Sequence, residues 1–373
     1  MRIGLLGFGV VGKGVYDITK KLPDIKVVKV LCLEDISLPD AEVVKDFNEI
    51  LEDSSIDTVI EAIGGLHPAY EFVRAAMEAG KHIVTSNKAL VANFYDELIP
   101  LAQEKGLKFR CTAAVGGGIG WLSELERANR VQTITQVGGI MNGTCNYILD
   151  NMTRLGLSYE AALSQAQGLG YAEANPTTDV EGIDTWHKVI LSSNIAFGIS
   201  LESSSVPVAG ISKISAEDVA AFTEHGYVCK LISTGKRTET GFSVFVQPTL
   251  CPAGSPEAAV PMNYNLITLI GDTSARMSFY GQGAGRYPTA YNVVQDCKDF
   301  LSGKGFYTHY GEKVSVVNDG KLCYYVRGGK DLPAAVKEHW GSGVITEPVS
   351  VQTIHDWRKE NPDAFIAAIG EDM

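Results

Sequence analysis

A short apolar run, Arg2–Leu6, leads into Gly7-Phe8-Gly9-Val10-Val11-Gly12, and residues 15–20 then take up helical spacing. The order strand, G-x-G-x-x-G, helix constrains this chain more than any other feature. The first glycine permits a tight turn. The second lets backbone approach a pyrophosphate, and the third lets the helix pack closely on the strand. The helix N-terminus then offers its free N–H groups to a phosphate. Gly7, Gly9, Val10, Val11 and Gly12 are therefore candidate dinucleotide-binding residues. The alternative is a tight strand-to-helix turn with no ligand.

The alternation of strand and helix continues. A strand over residues 26–33 ends at Glu34 and Asp35, and Glu34 follows Gly12 by 34 − 12 = 22 residues. That is near the spacing of roughly 20 expected for a carboxylate on a ribose 2′-OH. Residues 30–44 contain no lysine or arginine to meet a 2′-phosphate, which favours NAD over NADP. The alternative is that both acids are solvated loop residues. Residues 57–63 read as a strand ending in Gly64-Gly65, 68–78 as a helix, and 82–85 as a strand ending in Ser86-Asn87-Lys88. Residues 94–105 read as a helix and 107–113 as a strand. Repeated βα units imply an α/β fold with a Rossmann-type, doubly wound parallel sheet. Ligands bind beyond the carboxyl ends of such strands, where Gly64, Gly65, Ser86 and Lys88 fall.

After residue 130 the alternation breaks. Residues 133–141 are strand-like, Asn142-Gly143-Thr144 is a turn, and 146–155 and 161–167 are helical in pattern. A polar loop, 171–179, precedes helical spacing over 180–197. Asp184 and Lys188 are four apart and share a helix face. They form either a surface ion pair of little energetic weight or a desolvated lysine held for proton transfer. His187 is an alternative proton carrier, or a hydrogen-bonded core residue. Residues 227–250 suggest a hairpin about 238–241, and with 263–280 an antiparallel or mixed sheet of the kind that forms dimer surfaces. Gly281-Gln282-Gly283-Ala284-Gly285 opens a helix over 289–300, a second glycine loop able to face a cofactor through Gly283 and Gly285.

The expected organisation is a nucleotide domain over 1–137, completed by about 281–303. An α+β substrate-binding and dimerisation domain over 138–280 follows, with a small C-terminal extension over 304–373. In the extension, 313–317 and 322–326 are strand-like, and 332–339 and 353–359 are helical candidates. A βαβ module would suit them, either structural or regulatory.

Composition narrows the class. Charged residues are 20% and hydrophobic residues 45% of 373, which excludes a disordered chain. The net charge of −12 argues against nucleic acid as the main partner. No apolar stretch is long enough to span a membrane, and no leader-like segment precedes the first strand. The seven cysteines are scattered, with no CxxC. A reduced, cytoplasmic setting is expected.

Six segments in order resemble homoserine dehydrogenases: GFGVVGKGV (7–15), SNKALVA (86–92), VGGGIG (115–120), GIMNGTCNYIL (139–149), GLGYAEANPTTDVEGIDTWHKV (168–189) and YGQGAGRYPTAYNVVQD (280–296). The resemblance covers roughly residues 1–300. It implies NAD(P)-dependent interconversion of L-homoserine and L-aspartate 4-semialdehyde, a step in threonine, methionine and isoleucine biosynthesis. It also implies residue roles. Lys188 resembles the lysine that exchanges a proton with the substrate hydroxyl, and Lys88 the second active-site lysine. Glu173 matches the residue that binds the substrate ammonium, and Asp184 the partner near lysine and substrate. Asp179 and Tyr171 fall on substrate-pocket positions, and Gly143 and Thr144 on a turn close to substrate and nicotinamide. Some members bind a monovalent cation such as sodium through backbone carbonyls, which here would be those of Val115, Gly117 and Ile119. A homodimer is implied.

The sequence departs from the family at Gly120, where proline is common, at Gln282, where proline is also common, and at Thr112, where glutamate is common. Two other readings remain: a related dehydrogenase of another amino or hydroxy acid, and a dinucleotide-binding sensor without catalysis. Both lysines and the full acidic constellation are present, which argues against each.

Overall fold

The computed structural model describes residues 1–307 and 311–370. The chain divides into two compact units. One comprises Met1–Val131, Asn194–Ser200 and Gln282–Lys313, and the other Gln132–Ser193, Leu201–Gly281 and the residues from Val314 onward.

The first unit is built on β1 (Arg2–Leu6), β2 (Lys26–Leu31), β3 (Glu42–Val44), β4 (Thr58–Glu61), β5 (His82–Thr85) and β6 (Phe109–Arg110). They lie in the order β3-β2-β1-β4-β5-β6, with every neighbouring pair parallel. The order reverses between β1 and β4, the switch point at which such sheets bind ligands. Buried residues of the strands (Ile3, Leu5, Val30, Ile60, Val84) meet Val15 of the helix Val10–Thr19 and Val293 and Phe300 of the helix Arg286–Leu301. Each such side chain contributes roughly 1.5–3 kcal/mol by leaving water.

Arg110, fully buried at the end of β6, ties the helix Arg286–Leu301 to the sheet. It reaches Asp296 at 3.2 Å, Asp299 at 3.0 Å and Glu126 at 3.0 Å. Burial pushes the Asp296 carboxyl up to about 6, although Arg110 opposes it.

Two expectations change here. Strand β3 was not evident in the sequence. The segment read as a strand over 107–113 is extended only at Phe109–Arg110, and a 3-10 turn takes over at Thr112–Ala114. Thr112 turns inward there because its backbone N–H and hydroxyl both bind Asp296, at 2.8 and 2.5 Å.

The second unit holds a nine-stranded sheet. In spatial order its strands are Ala275–Gln282, Tyr264–Gly271, Ile134–Ile140, Tyr227–Thr238, Gly241–Pro252, Phe365–Ile369, Tyr324–Arg327, Gly343–Thr346 and Val336–Trp340. Phe365–Ile369 is parallel to Gly241–Pro252 and antiparallel to Tyr324–Arg327, so the sheet is mixed. The hairpin Tyr227–Thr238/Gly241–Pro252 pairs over its full length. The helices Gly143–Leu155, Tyr159–Gly168 and Ala216–Glu224 belong to this unit.

The C-terminal residues add four strands to this same sheet rather than forming a βαβ module of their own. Residues 332–339, read as helical, instead enter the strand Val336–Trp340, which pairs with Gly343–Thr346. A tight reversal explains the change: Gly341 has φ +55, and Trp340 stacks on His225 with ring centroids 4.0 Å apart. Tyr324, Ile354, Trp357 and Ile366 form a buried cluster with Ala209. Val351–Glu360 is helical, close to expectation.

Candidate active site

In the first unit, the backbone geometry of 7–12 follows its glycines. Gly7 sits at φ +93, a region closed to most side chains. A Cβ on Gly12 would lie 2.1 Å from the Gly7 carbonyl oxygen, whereas one on Gly9 would meet nothing within 4 Å. Gly9 therefore faces open space, and Val10, 65% exposed, starts the helix.

A cavity of about 640 Å³ opens at this point. It is lined by Gly7, Phe8, Gly9 and Lys13, by Leu33 and Glu34 after β2, and by Lys45, Phe47, Ile63 and Phe72. Phe47 and Phe72 stack with centroids 4.3 Å apart. Apolar walls with a helix N-terminus and a lysine suit an adenine dinucleotide.

One premise from the sequence changes. Lys45, one residue beyond the window without basic residues, follows β3 and returns to the end of β2. Its Nζ donates to the carbonyls of Leu33 and Glu34 at 2.9 and 2.7 Å and pairs with Asp35 at 3.0 Å. A cation does stand beside Glu34 in the wall of this cavity.

At the ends of β4 and β5 a buried network orders two further turns. Glu61, fully buried, accepts the backbone N–H of Ile63 at 2.8 Å and of Gly64 at 2.9 Å, and the Thr85 hydroxyl at 2.5 Å. Thr85 in turn accepts the Asn87 N–H at 2.9 Å. Asn87 caps the helix Lys88–Asn93 through Leu90 N–H and donates to the Gly65 carbonyl at 2.6 Å. Gly64, Gly65, Ser86 and Lys88 are thus set by one chain of hydrogen bonds. Neither Glu61 nor Thr85 was singled out in the sequence, though an acid inside the apolar run 58–63 was the visible signal. Gly283 lies against Gly117, where an added Cβ would meet the Gly283 carbonyl at 2.7 Å. Gly285 caps the helix Arg286–Leu301.

In the second unit, Asp184 and Lys188 occupy one face of the helix Ile183–Phe197 as their spacing requires. Asp184 Oδ2 and Lys188 Nζ are 2.7 Å apart, with both side chains only 9% exposed. The surface ion pair considered from sequence is therefore ruled out; this pair is buried. Lys188 Nζ also donates to the Met141 carbonyl at 2.6 Å.

Asn142 completes the cluster. Its amide nitrogen donates to Asp179 Oδ1 at 2.7 Å and Asp184 Oδ2 at 2.8 Å. Its amide oxygen caps the helix Gly143–Leu155 through Cys145 N–H at 2.8 Å. Asn142 was read only as a turn residue. Burial, reinforced by Asp179 and Asp184, pushes the Cys145 thiol well up, so it remains a donor to the Asp179 carbonyl at 3.1 Å.

The surrounding substrate candidates are less enclosed. Thr144 Oγ1 donates to the Tyr171 carbonyl at 2.6 Å, and the Tyr171 ring packs against Tyr147 at 5.1 Å. Glu173 is exposed, its carbonyl accepting from Gln167 at 3.0 Å. Gly143 abuts the loop at Asn263, whose carbonyl would lie 2.6 Å from an added Cβ. His187 is buried with its ring edge against Trp186.

Two family models match the chain: "Homoserine dehydrogenase" over residues 121–297 and "Homoserine dehydrogenase, NAD binding domain" over residues 7–112. The homoserine dehydrogenase of Bacillus subtilis is 38% identical over 310 residues, which is 79% of this chain and 72% of that protein. That of Pseudomonas aeruginosa is 37% identical over 313 residues, 81% of this chain and 72% of that protein. The chain belongs to the homoserine dehydrogenase family. Its fold agrees with the crystal structure of a homoserine dehydrogenase from Thiobacillus denitrificans, with TM-score 0.86, 29% identity, and coverage of 100% of this chain and 99% of that one.

Two of the three departures from the homoserine dehydrogenase pattern have local causes; nothing in the structure explains Gln282. Gly120 starts the helix Trp121–Ala128 at φ +72, which proline, locked near −65°, cannot adopt. Thr112 is engaged by Asp296 and belongs to the Arg110 network. Of the three carbonyls considered for a cation, that of Gly117 accepts the Asn292 amide at 2.5 Å. Among the described residues no helix is long and apolar enough to cross a membrane.

Proposed function

We propose that this chain carries out its family's reaction, the NAD(P)-dependent interconversion of L-homoserine and L-aspartate 4-semialdehyde, with Lys188 as the acid/base group. One observation carries the reading: a lysine buried beside Asp184 at 2.7 Å, in a cluster that Asn142 extends to Asp179. Oxidation requires the substrate hydroxyl to lose its proton as hydride leaves the carbinol carbon, and Lys188, as the neutral amine, receives that proton on its lone pair and becomes the ammonium. In the reverse direction the ammonium returns it to the forming alkoxide. When bound, the oxidised nicotinamide supplies the hydride acceptor. Gly9, Val10 and Val11 present N–H groups to the pyrophosphate, and Glu34 meets the ribose.

Lys88 takes the role of the family's second lysine, its turn fixed by Asn87. Glu173 and Asp179 supply negative charge for the substrate ammonium, and Tyr171, Gly143 and Thr144 shape the pocket around it. Purified protein given L-homoserine with NAD or NADP must reduce the nucleotide. Absence of turnover with both, by folded protein, removes the reading.

Lys45 supports use of both nucleotides: Glu34 suits a free 2′-OH, and a 2′-phosphate would replace Asp35 as the anion on the Lys45 ammonium. The C-terminal strands act as structural support for the second unit. Its core includes Ala209, and two residues on, Ile211 N–H donates to the Val180 carbonyl at 2.7 Å, next to Asp179. A homodimer in the cytoplasm completes the reading. The strand Ala275–Gln282 lies at the sheet edge, with Tyr280 exposed and stacked on Tyr264 at 5.0 Å. Such edges are usually covered or paired.

A further inference from the structure

We propose that Asn142 is a positioning residue for the reaction: its amide holds Asp179 and Asp184 apart and aims Asp184 at Lys188, separately from its role as a helix cap. The inference rests on the assignment of Lys188 as the acid/base group.

Asn142 is 4% exposed, so its hydrogen bonds are made with protein rather than water. The amide nitrogen has two hydrogens. One goes to Asp179 Oδ1 at 2.7 Å, the other to Asp184 Oδ2 at 2.8 Å. The same Asp184 oxygen lies 2.7 Å from Lys188 Nζ, so Asp179, Asn142, Asp184 and Lys188 form a continuous line. Two carboxylates bound to one amide nitrogen would otherwise repel each other. A neutral bridging donor satisfies one oxygen of each and fixes their separation. A second donor on Asp184 Oδ2 limits the directions from which Lys188 can approach. Lys188 Nζ is then held between that oxygen and the Met141 carbonyl at 2.6 Å.

The cap uses a different atom. Asn142 Oδ1 accepts Cys145 N–H at 2.8 Å, a task that aspartate and serine perform about as well. The two roles can therefore be separated by substitution. N142D keeps an acceptor for the cap and removes both bridging donors. N142S keeps a shorter cap and cannot span the two carboxylates.

The experiment compares wild type, N142D, N142S and K188A in the full chain. It measures kcat and KM for L-homoserine, binding of reduced dinucleotide by fluorescence, and thermal midpoints. The expected result is that kcat falls by roughly 10²-fold in N142D and at least about tenfold in N142S, the scale for a displaced catalytic group. Dinucleotide binding stays within about twofold. If N142D fails to fold, N142S carries the test alone. Wild-type kcat in N142S, with K188A inactive, would reduce Asn142 to a cap and overturn the proposal. Substantial turnover by K188A would instead overturn the assignment of Lys188, and the positioning role with it.

Discussion

Asp184 and Lys188, one turn apart on the helix Ile183–Phe197, are joined at 2.7 Å and are almost wholly withdrawn from water. A buried ion pair is weak evidence for stability, because desolvation of both groups offsets their attraction. Its presence here fits a catalytic demand better than a structural one. D184N preserves shape and removes the charge that holds Lys188. We expect kcat for L-homoserine to drop by roughly 10²-fold, within the range for loss of acid/base function, with KM changed far less. Steady-state kinetics checks this, and an unchanged kcat would make the pair structural.

Lys45 lines the cavity beside Glu34 and pairs with Asp35 at 3.0 Å. K45A should lower kcat/KM for NADP by about tenfold, the size of one charge-assisted contact, and should change that for NAD by less than about threefold. The ratio of the two, measured with L-homoserine in excess, is the readout. An equal loss with both nucleotides would assign Lys45 to the local fold of residues 33–35.

Glu61 holds the Gly64 turn and, through Thr85, the turn that carries Lys88. E61A leaves two backbone N–H groups and a hydroxyl without their acceptor. Such losses cost about 1–3 kcal/mol each when buried. We expect dinucleotide affinity to weaken by at least about tenfold, read by fluorescence titration. Unchanged affinity would separate this network from the nucleotide site.

His355 gives a pH dependence of stability. Burial holds its imidazole neutral, down to about 3, and its ring lies 2.9 Å from Gln247 Oε1. The unfolded chain has an ordinary histidine near 6.5. Below that value the unfolded state binds more protons than the folded state. The stability is therefore full above pH 6.5 and is lost as pH falls toward 3. Between pH 8 and pH 5 this one group accounts for about 2 kcal/mol. Urea unfolding of wild type and H355Q at both values checks it: the variant should lose about 2 kcal/mol less. Equal losses would contradict a buried neutral imidazole.

The parallel sheet was legible because most of its strands are apolar runs, those of β1, β4 and β5 followed closely by glycine or serine, and G-x-G-x-x-G marks the first turn. Asp184 and Lys188 were legible as a pair because a helix places residues four apart on one face. Their burial was not, since it depends on strands more than 40 residues away in sequence, such as the one ending near Met141. Lys45 escaped notice because a three-residue strand, Glu42–Val44, brings it back to Glu34. Asn142 was visible as part of a turn, but its bridge to Asp179 and Asp184 spans 37 and 42 positions. The strand Val336–Trp340 was misread because its pairing partner, not its periodicity, decides its conformation.

The most direct measurement is single-substitution kinetics at Lys188. With L-homoserine and NAD or NADP, the wild-type protein should reduce the nucleotide. K188A should show no turnover with either while binding the dinucleotide within about twofold of wild type. Retention of wild-type turnover by K188A would contradict the assignment of Lys188 as the proton-transfer group.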